Sequence, residues 1–449
     1  MKNNVRSSAV DILNRVETEQ SFAEPLLTHL LDRGAFAEVE DRGLLTELVY
    51  GTLRLRNRLD WIIGIFYSGA VASMERGIRN ILRVGLYQIF CMDRIPHYAA
   101  VHEAVGLTKR LYPGRDRLVN ALLRNALRRK GEISYPDYAT RPLEYVATYY
   151  SHPLWLVAGW EARYGIEHTR ALCEANNRTP PSALRVNTIK TDRETTVELF
   201  SKDGFRVRPA VCAPDGILVD AHPFPVRNHA LFARGHFQFQ DEASQLVSLL
   251  VNPRPGDRVL DVCSGAGIKA THLGAMMENR GTIIAVDTDF RKLKRGIELA
   301  KRLGVEIIDR ITADGKEDLG PLFHGRFDRI LVDAPCTGLG TVRRKPEIKW
   351  FADPGGSEKF AKLQREILTR CSRYLKEGGT MVYATCTTEP EENEGVIKKV
   401  LADDPSLMLC TFPVVPDKSM IDEKGFFRTW PHMHGTDGFF GAVLRKYRS

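Results

Sequence analysis

The 449-residue sequence contains no CxxC pair, and its 8 cysteines are scattered. That scatter excludes a disulfide framework or a zinc ribbon and points to a reducing compartment. No metal is expected: no ligand set has metal-binding spacing, and His432 and His434 in PHMHGTDGFF lack a third partner. Long apolar runs are missing as well. WIIGIFYSGAVAS, from Trp61 to Ser73, is too short to span a bilayer and is interrupted by Gly, Tyr and Ser. The opening MKNNVRSSAV has no apolar signal core. These absences lead us to expect a cytoplasmic protein with no membrane partner; a monomer is a separate expectation.

What is there is a globular composition, 43% hydrophobic with mixed charge. The length exceeds what one core usually serves, so two or three domains are expected. The net charge is +8. Residues 1–130 carry 20 Lys and Arg against 14 Asp and Glu, so 6 of that excess lies there. A basic face attracts phosphates, although the same numbers describe a solvated surface equally well.

Three segments differ in rhythm. Residues 1–130 read as all-helical: Val10, Leu13 and Val16 recur at helical spacing, and DRGLLTELVYGTLRLRNRLDWIIGIF continues the period. RLVNALLRNALRRK sets Leu118, Leu122 and Ala126 on one face for packing, and Arg117, Arg124 and Arg128 on another as candidate phosphate contacts. Residues 131–234 begin as a linker, GEISYPDYATRPLEYVATYYSHPLW, with prolines and aromatics but no sustained period. They continue as a small α+β connector, with Arg185, Arg206 and Arg208 on its strands, either a minor RNA platform or a plain spacer. From residue 235 to 449 strands alternate with helices. RVLDVC, GTIIAVD, EIIDRITAD, RFDRILVDAPC and GTMVYATC are the strands, and IKATHLGAMM, FRKLKRGIELAKRLG and KLQREILTRCSRYLKEG the helices. This is the pattern of an α/β, Rossmann-like sheet that binds ligands at the carboxyl ends of its strands.

At those ends sits a run of acids. DVCSGAGIKA supplies Gly265 and Gly267 for a tight turn before a helix, and Asp287 follows 22 residues after Gly265. Asp314 closes the third strand and Asp333 the fourth. Asp287 accepts ribose hydroxyls in NAD(P) and S-adenosylmethionine sites alike, so this pattern leaves both cofactors open. A thiol follows the fourth and fifth strands, Cys336 in VDAPCTG and Cys386 in YATCTTEPEENE. An isolated strand-end cysteine is usually a small buried hydrophobe, the reading kept for Cys91, Cys173, Cys212, Cys371 and Cys410.

LDVCSGAGIKATHL, VDAPCTGLGTVRRKPEIKW, GGTMVYATC and PEENE together resemble the successive motifs of the S-adenosylmethionine-dependent RNA cytosine-C5 methyltransferases. The helical N-terminus resembles the NusB-like domain of one branch, the 16S ribosomal RNA methyltransferase B (Fmu/Sun) family. The resemblance covers nearly the whole chain. It implies an all-α NusB-like domain, a small α+β connector and an α/β methyltransferase domain, with S-adenosylmethionine as cofactor and 16S ribosomal RNA as partner. It further implies that Cys386 is the nucleophile and Cys336 assists release, the reverse of DNA cytosine methyltransferases, whose Glu-Asn-Val motif is missing here. A thiol nucleophile answers a chemical need, since carbon 5 of cytosine attacks a methyl donor only once a nucleophile has added at carbon 6. Asp333 would hold the nitrogen edge of the ring, and Lys269 would orient the reacting groups or lower a thiol pKa. The cofactor loop would be Cys263-Ser264-Gly265-Ala266-Gly267-Ile268-Lys269, with Asp287, Asp314 and Asp333 beyond it. This loop departs from the family's usual Cys-Ala-Ala-Pro-Gly-Gly-Lys, and Ile268 stands where a glycine would allow positive φ. A capping box from Thr388 to Glu391 is expected to start the helix after Cys386.

Arg343, Arg344, Lys345 and Lys349, with Trp350 beside them, follow the Pro-Cys loop. Cations next to an aromatic suit single-stranded RNA, from which a base can be flipped into a pocket.

Overall fold

The computed structural model describes residues 4–412 and 416–447. The chain forms two units, one comprising Met1–Thr179 with Val342–Pro354, the other Pro180–Thr341 with Gly355–Ser449.

The first unit is helical. Asn4 caps the opening helix Val5–Glu19 by accepting from the amides of Arg6 and Ser7. Ala23–Asp32, Val39–Arg54, Arg56–Phe66, Arg76–Cys91, His97–Leu111 and Asp116–Arg128 follow. Arg76–Cys91 is buried on nearly every side, including Arg83 and Gln88, which makes it the central helix of the bundle. The linker expected from residue 131 is instead a second helical layer, Pro142–Tyr149, Leu154–Tyr164 and Ile166–Asn176. Two of its prolines misled the reading. Pro142 opens a helix and Pro153 sits just before one, positions where a missing N–H costs nothing. The expected 131–234 connector is therefore divided at Thr179.

The second unit holds two sheets. The smaller comprises β1 (Ser182–Val186), β2 (Arg206–Pro209), β3 (Gly216–Ala221) and β4 (Phe237–Phe239), antiparallel in the order β2-β3-β1-β4. The larger contains β5 (Arg258–Val262), β6 (Thr282–Asp287), β7 (Ile308–Thr312), β8 (Phe327–Asp333), β9 (Leu375–Thr385), β10 (Leu407–Cys410), β11 (Phe427–Thr429) and β12 (Phe439–Lys446). Its order is β10-β12-β9-β8-β5-β6-β7, with β11 paired to β12. The pairs among β5–β9 are parallel; β12 joins β9 antiparallel. Parallel strands covered on both faces should read as continuous apolar runs, and Ile283–Val286 and Ile330–Val332 do. The chain reverses direction across the sheet between β5 and β8, so ligand chemistry belongs at their carboxyl ends. Two boundaries move: β7 stops at Thr312, two residues before Asp314, and β9 begins at Leu375, inside the segment expected to continue the preceding helix.

Candidate active site

The loop after β5 turns through three left-handed residues, Cys263 (φ 63°), Gly265 (φ 60°) and Gly267 (φ 75°). Ile268 is the first residue of the helix Ile268–Met276, so no positive φ is asked of it. The Gly265 amide donates to Asp287 Oδ2 at 2.8 Å, and the Asp289 amide to Asp287 Oδ1 at 2.9 Å. Asp287 thus ties the loop to the end of β6, and each of its oxygens keeps a lone pair for a ligand. Sequence reasoning passed over Asp261, an acid inside the apolar run of β5. It is fully buried, accepts from Ser264 Oγ at 2.5 Å, and burial pushes its pKa up to about 7.

A second tie comes from β1. Arg185, expected as an RNA contact, is buried, and its guanidinium donates to the Ile268 carbonyl at 2.8 Å and to Thr271 Oγ1 at 3.1 Å. It fastens the first turn of the loop helix and is out of reach of a phosphate. Arg206 and Arg208 are exposed, the latter paired with Asp220 at 3.3 Å.

Cys263, Gly265, Asp287, Asp314 and Asp333 line a cavity of about 450 Å³. Ser264, Ala266, Gly267, Ile268 and Lys269 shape the loop behind it; Lys292, Pro335, Ile367 and Lys316, the last paired with Asp314 at 3.3 Å, are among the lining residues that were not foreseen. The donor set fits S-adenosylmethionine. Asp287 is an acceptor for ribose hydroxyls, Asp314 and Asp333 are acids for the polar and cationic ends, and Ile367 with Pro335 offers apolar surface for a flat base.

Beside this cavity the two cysteines meet. Asp333 ends β8 opposite Ala384 of the parallel β9, so the loops leaving both strands emerge at one edge. Cys336 Sγ and Cys386 Sγ lie 3.4 Å apart, and the Gly340 amide donates to the Cys386 carbonyl at 2.9 Å. The hydrogen bond to Cys386, burial and the negative Glu392 all push the Cys336 thiol well above its usual pKa. Cys336 therefore keeps its proton, and the two sulfurs share one hydrogen bond. Lys269 Nζ donates to Asp333 Oδ2 at 2.6 Å. Burial opposes the charge on Lys269, but Asp333, with Cys386 adding to it, raises the lysine's pKa overall.

The expected capping box does not form. The helix starts at Glu394, and Thr388 donates to its neighbour Glu389 at 3.3 Å. Residues 387–393 instead fold Glu392 inward. Its carboxylate accepts from the Thr337 amide (2.9 Å), Thr337 Oγ1 (2.5 Å), Gln364 Nε2 (3.0 Å) and Thr387 Oγ1 (3.3 Å). Thr337 and Thr387 each follow a cysteine, so one buried acid clamps both thiol loops. The PEENE motif was the available signal for it.

The expected RNA contacts separate into two groups. Arg117, Arg124 and Arg128 are exposed along the helix Asp116–Arg128. By contrast, Val342–Pro354 belongs to the helical unit. Lys349 is fully buried there and donates to the Arg54 carbonyl at 2.9 Å, and Trp350 Nε1 donates to the Leu53 carbonyl at 2.7 Å. Arg343 is also buried, and Arg344 and Lys345 are half-buried, the latter's ammonium 5.4 Å from the Phe22 ring centre. Lys349 and Trp350 hold this segment in place and are not free for phosphates or bases.

Comparison with known proteins agrees with this architecture. Residues 248–445 match the family described as 16S rRNA methyltransferase RsmB/F, residues 3–128 the NusB family, and residues 152–227 the ferredoxin-like domain of RsmF/B-like methyltransferases. The crystal structure of PH0851 superposes with a TM-score of 0.82 at 26% identity, covering 99% of this chain and 100% of that one. A methyltransferase homolog protein from Pyrococcus horikoshii gives 0.60 at 28% identity, over 68% of this chain and 99% of its own. The probable ribosomal RNA small subunit methyltransferase B of Bacillus subtilis is 35% identical, and the ribosomal RNA small subunit methyltransferase B of Shigella flexneri 33%, each over 99% of both chains. Identity of that order across the whole length means that this chain belongs to the ribosomal RNA small subunit methyltransferase B family.

Proposed function

We propose that the chain methylates carbon 5 of a cytosine in 16S ribosomal RNA through a covalent Cys386 intermediate, as a monomer in the cytoplasm. The observation that carries this reading is the thiol pair at 3.4 Å with the Lys269–Asp333 ion pair in the same crevice. S-adenosylmethionine supplies an electrophilic methyl group when bound. Asp333 faces the cavity, where its carboxylate accepts from the nitrogen edge of the flipped base. The Cys386 thiolate adds to carbon 6 and shifts the carbon 5–carbon 6 π electrons onto carbon 5, which would then take the methyl group as the methyl–sulfur bond breaks and its electron pair stays on sulfur. Lys269 sits where its charge favours the thiolate before this step.

Cys336 then changes role. Its high pKa owes most to the hydrogen bond with Cys386, and alkylation of Cys386 removes both that bond and the neighbouring negative charge. Cys336 is then free to lose its proton to water and to take the proton from carbon 5. The released C–H electrons restore the ring double bond as the carbon 6–sulfur bond breaks and the Cys386 thiolate returns. Cys386→Ala should abolish methyl transfer and adduct formation. Cys336→Ala should transfer the methyl group and then accumulate a covalent RNA–protein adduct, visible as a shifted band on a denaturing gel. The reverse pattern would overturn the division of roles, and bisulfite mapping of ribosomal RNA from cells with and without the protein would test the target.

A further inference from the structure

The helix Phe290–Leu303 packs one face on the large sheet, and the side chains of its other face are exposed. Leu293, Gly296, Ala300 and Leu303 face inward. At Gly296 the fit is close, since a Cβ there would come within 3.0 Å of the Ala266 carbonyl of the cofactor loop. The outer face is unusual in two ways. The helix carries six Lys and Arg against one carboxylate, Glu298. Among the described residues, Arg291, Lys294, Arg295 and Lys301 are exposed and none makes an ion pair. An ordinary solvated helix would pair such charges at i, i+4 spacing.

Large apolar side chains lie among these cations. Phe290 is 64% exposed and Ile297 50%. Phe290, Lys294, Ile297 and Lys301 fall at i, i+4, i+7 and i+11, a single stripe in which ring, cation, alkyl and cation alternate. Arg291, Lys294 and Arg295 border a hollow of about 640 Å³, with the carboxylates Asp289 and Glu298 completing its rim, so cations outnumber acids three to two there. The helix starts three residues after Asp287, and Lys292 on its first turn lines the cofactor cavity. Fixed positive charge beside an exposed ring, at the rim of the cofactor cavity, matches a chain of phosphates with unpaired bases.

We propose that this face docks single-stranded ribosomal RNA flanking the target cytosine. Arg291, Lys294, Arg295 and Lys301 contact phosphates, and an unpaired base stacks on Phe290. The proposal rests on the RNA-methylating reading above and adds a surface to it.

The test measures equilibrium binding of a 16S-derived RNA to the full chain across a salt series. Lys294→Glu/Arg295→Glu should weaken binding at least tenfold and flatten the log K against log salt slope by about 1.4, two phosphates at about 0.7 each on a single strand. Phe290→Ala should weaken it about tenfold with the slope unchanged. Affinity for S-adenosylmethionine should stay as in the wild type, because Lys292 and the cavity are left intact, and this reports that the variants fold. Unchanged RNA affinity and slope in the charge variant would overturn the proposal and leave the face to an acidic protein surface. A loss in the charge variant with none in Phe290→Ala would overturn the single-strand assignment. Binding needs no turnover, so a wild type that binds this RNA and methylates no cytosine would sink the function reading while leaving the docking surface testable.

Discussion

Two lysines, each in a motif that sequence alone marks as functional, meet opposite fates. Lys269 reaches Asp333 at 2.6 Å, and its charge is reinforced; Lys349 is fully buried beside the Arg54 carbonyl, and burial lowers its pKa to about 7. Each is largely removed from water. What separates them is a counter-ion. A buried cation facing a carboxylate is held ready to act on nearby chemistry, whereas one facing a neutral carbonyl and an indole ring is a structural bolt that tolerates losing its proton.

The comparison breaks most sharply at turnover. Lys269→Met removes the positive charge beside Cys386 and leaves Asp333 without its partner. The rate constant of methyl transfer in single-turnover assays should fall about 10²–10⁴-fold, the range for losing one positioned electrostatic or acid–base group. Lys349→Met should leave that rate constant within twofold of wild type. Equal losses in the two variants would mean that the counter-ion does not distinguish them.

Glu392 sharpens the same point with the opposite sign, because it is a buried acid beside a thiol. Burial raises its own pKa, yet four donors surround it, and its charge helps keep Cys336 protonated. Glu392→Gln keeps the shape and removes the charge. The alkylation–pH profile of Cys336, read in a Cys386→Ala background, should shift to lower pH. The new amide group also sets a donor against Thr337, so stability should drop by about 1–3 kcal/mol in urea unfolding. A profile that does not move would show that Glu392 acts on the loops alone.

How much of this was legible follows from what each signal depends on. The parallel sheet, the acids Asp287 and Asp333 and the junction of Cys386 with β9 depend on strand periodicity and local turns, which sequence carries. That Cys336 and Cys386 come together followed from the sheet rule. The 3.4 Å separation did not, because it depends on the Glu392 clamp across residues 55 apart in the chain. Arg185 and Lys349 were misread for one reason. A cation on a strand or after a loop looks the same in sequence whether it points to water or into packing, and only the tertiary fold decides. Asp261 was missed because an acid in a buried strand runs against burial propensity, and such a conflict between levels is itself a signal of a site.

The smallest effect expected is also the most specific to Lys349. Its folded-state value near 7 lies below the ordinary 10.5, so the unfolded chain binds the proton more tightly than the native one. Between about pH 7 and pH 10.5 the unfolded state therefore carries a proton that the folded state lacks, and stability from this residue rises with pH, by at most about 1.4 kcal/mol per unit. Below pH 7 both states are protonated and the penalty for burying the ammonium is present in full. Lys349→Met removes the penalty together with the hydrogen bond to Arg54. At pH 7 the net should be a gain of about 1–2 kcal/mol for the helical unit, and the gain should level off below pH 7 and shrink toward pH 9. Urea unfolding of both proteins at pH 6, 7.5 and 9 checks this by difference, since every other titrating group is common to the two. A stability difference that stays flat across the three pH values would mean that Lys349 keeps its charge in the fold, and the contrast with Lys269 would then rest on position and not on protonation.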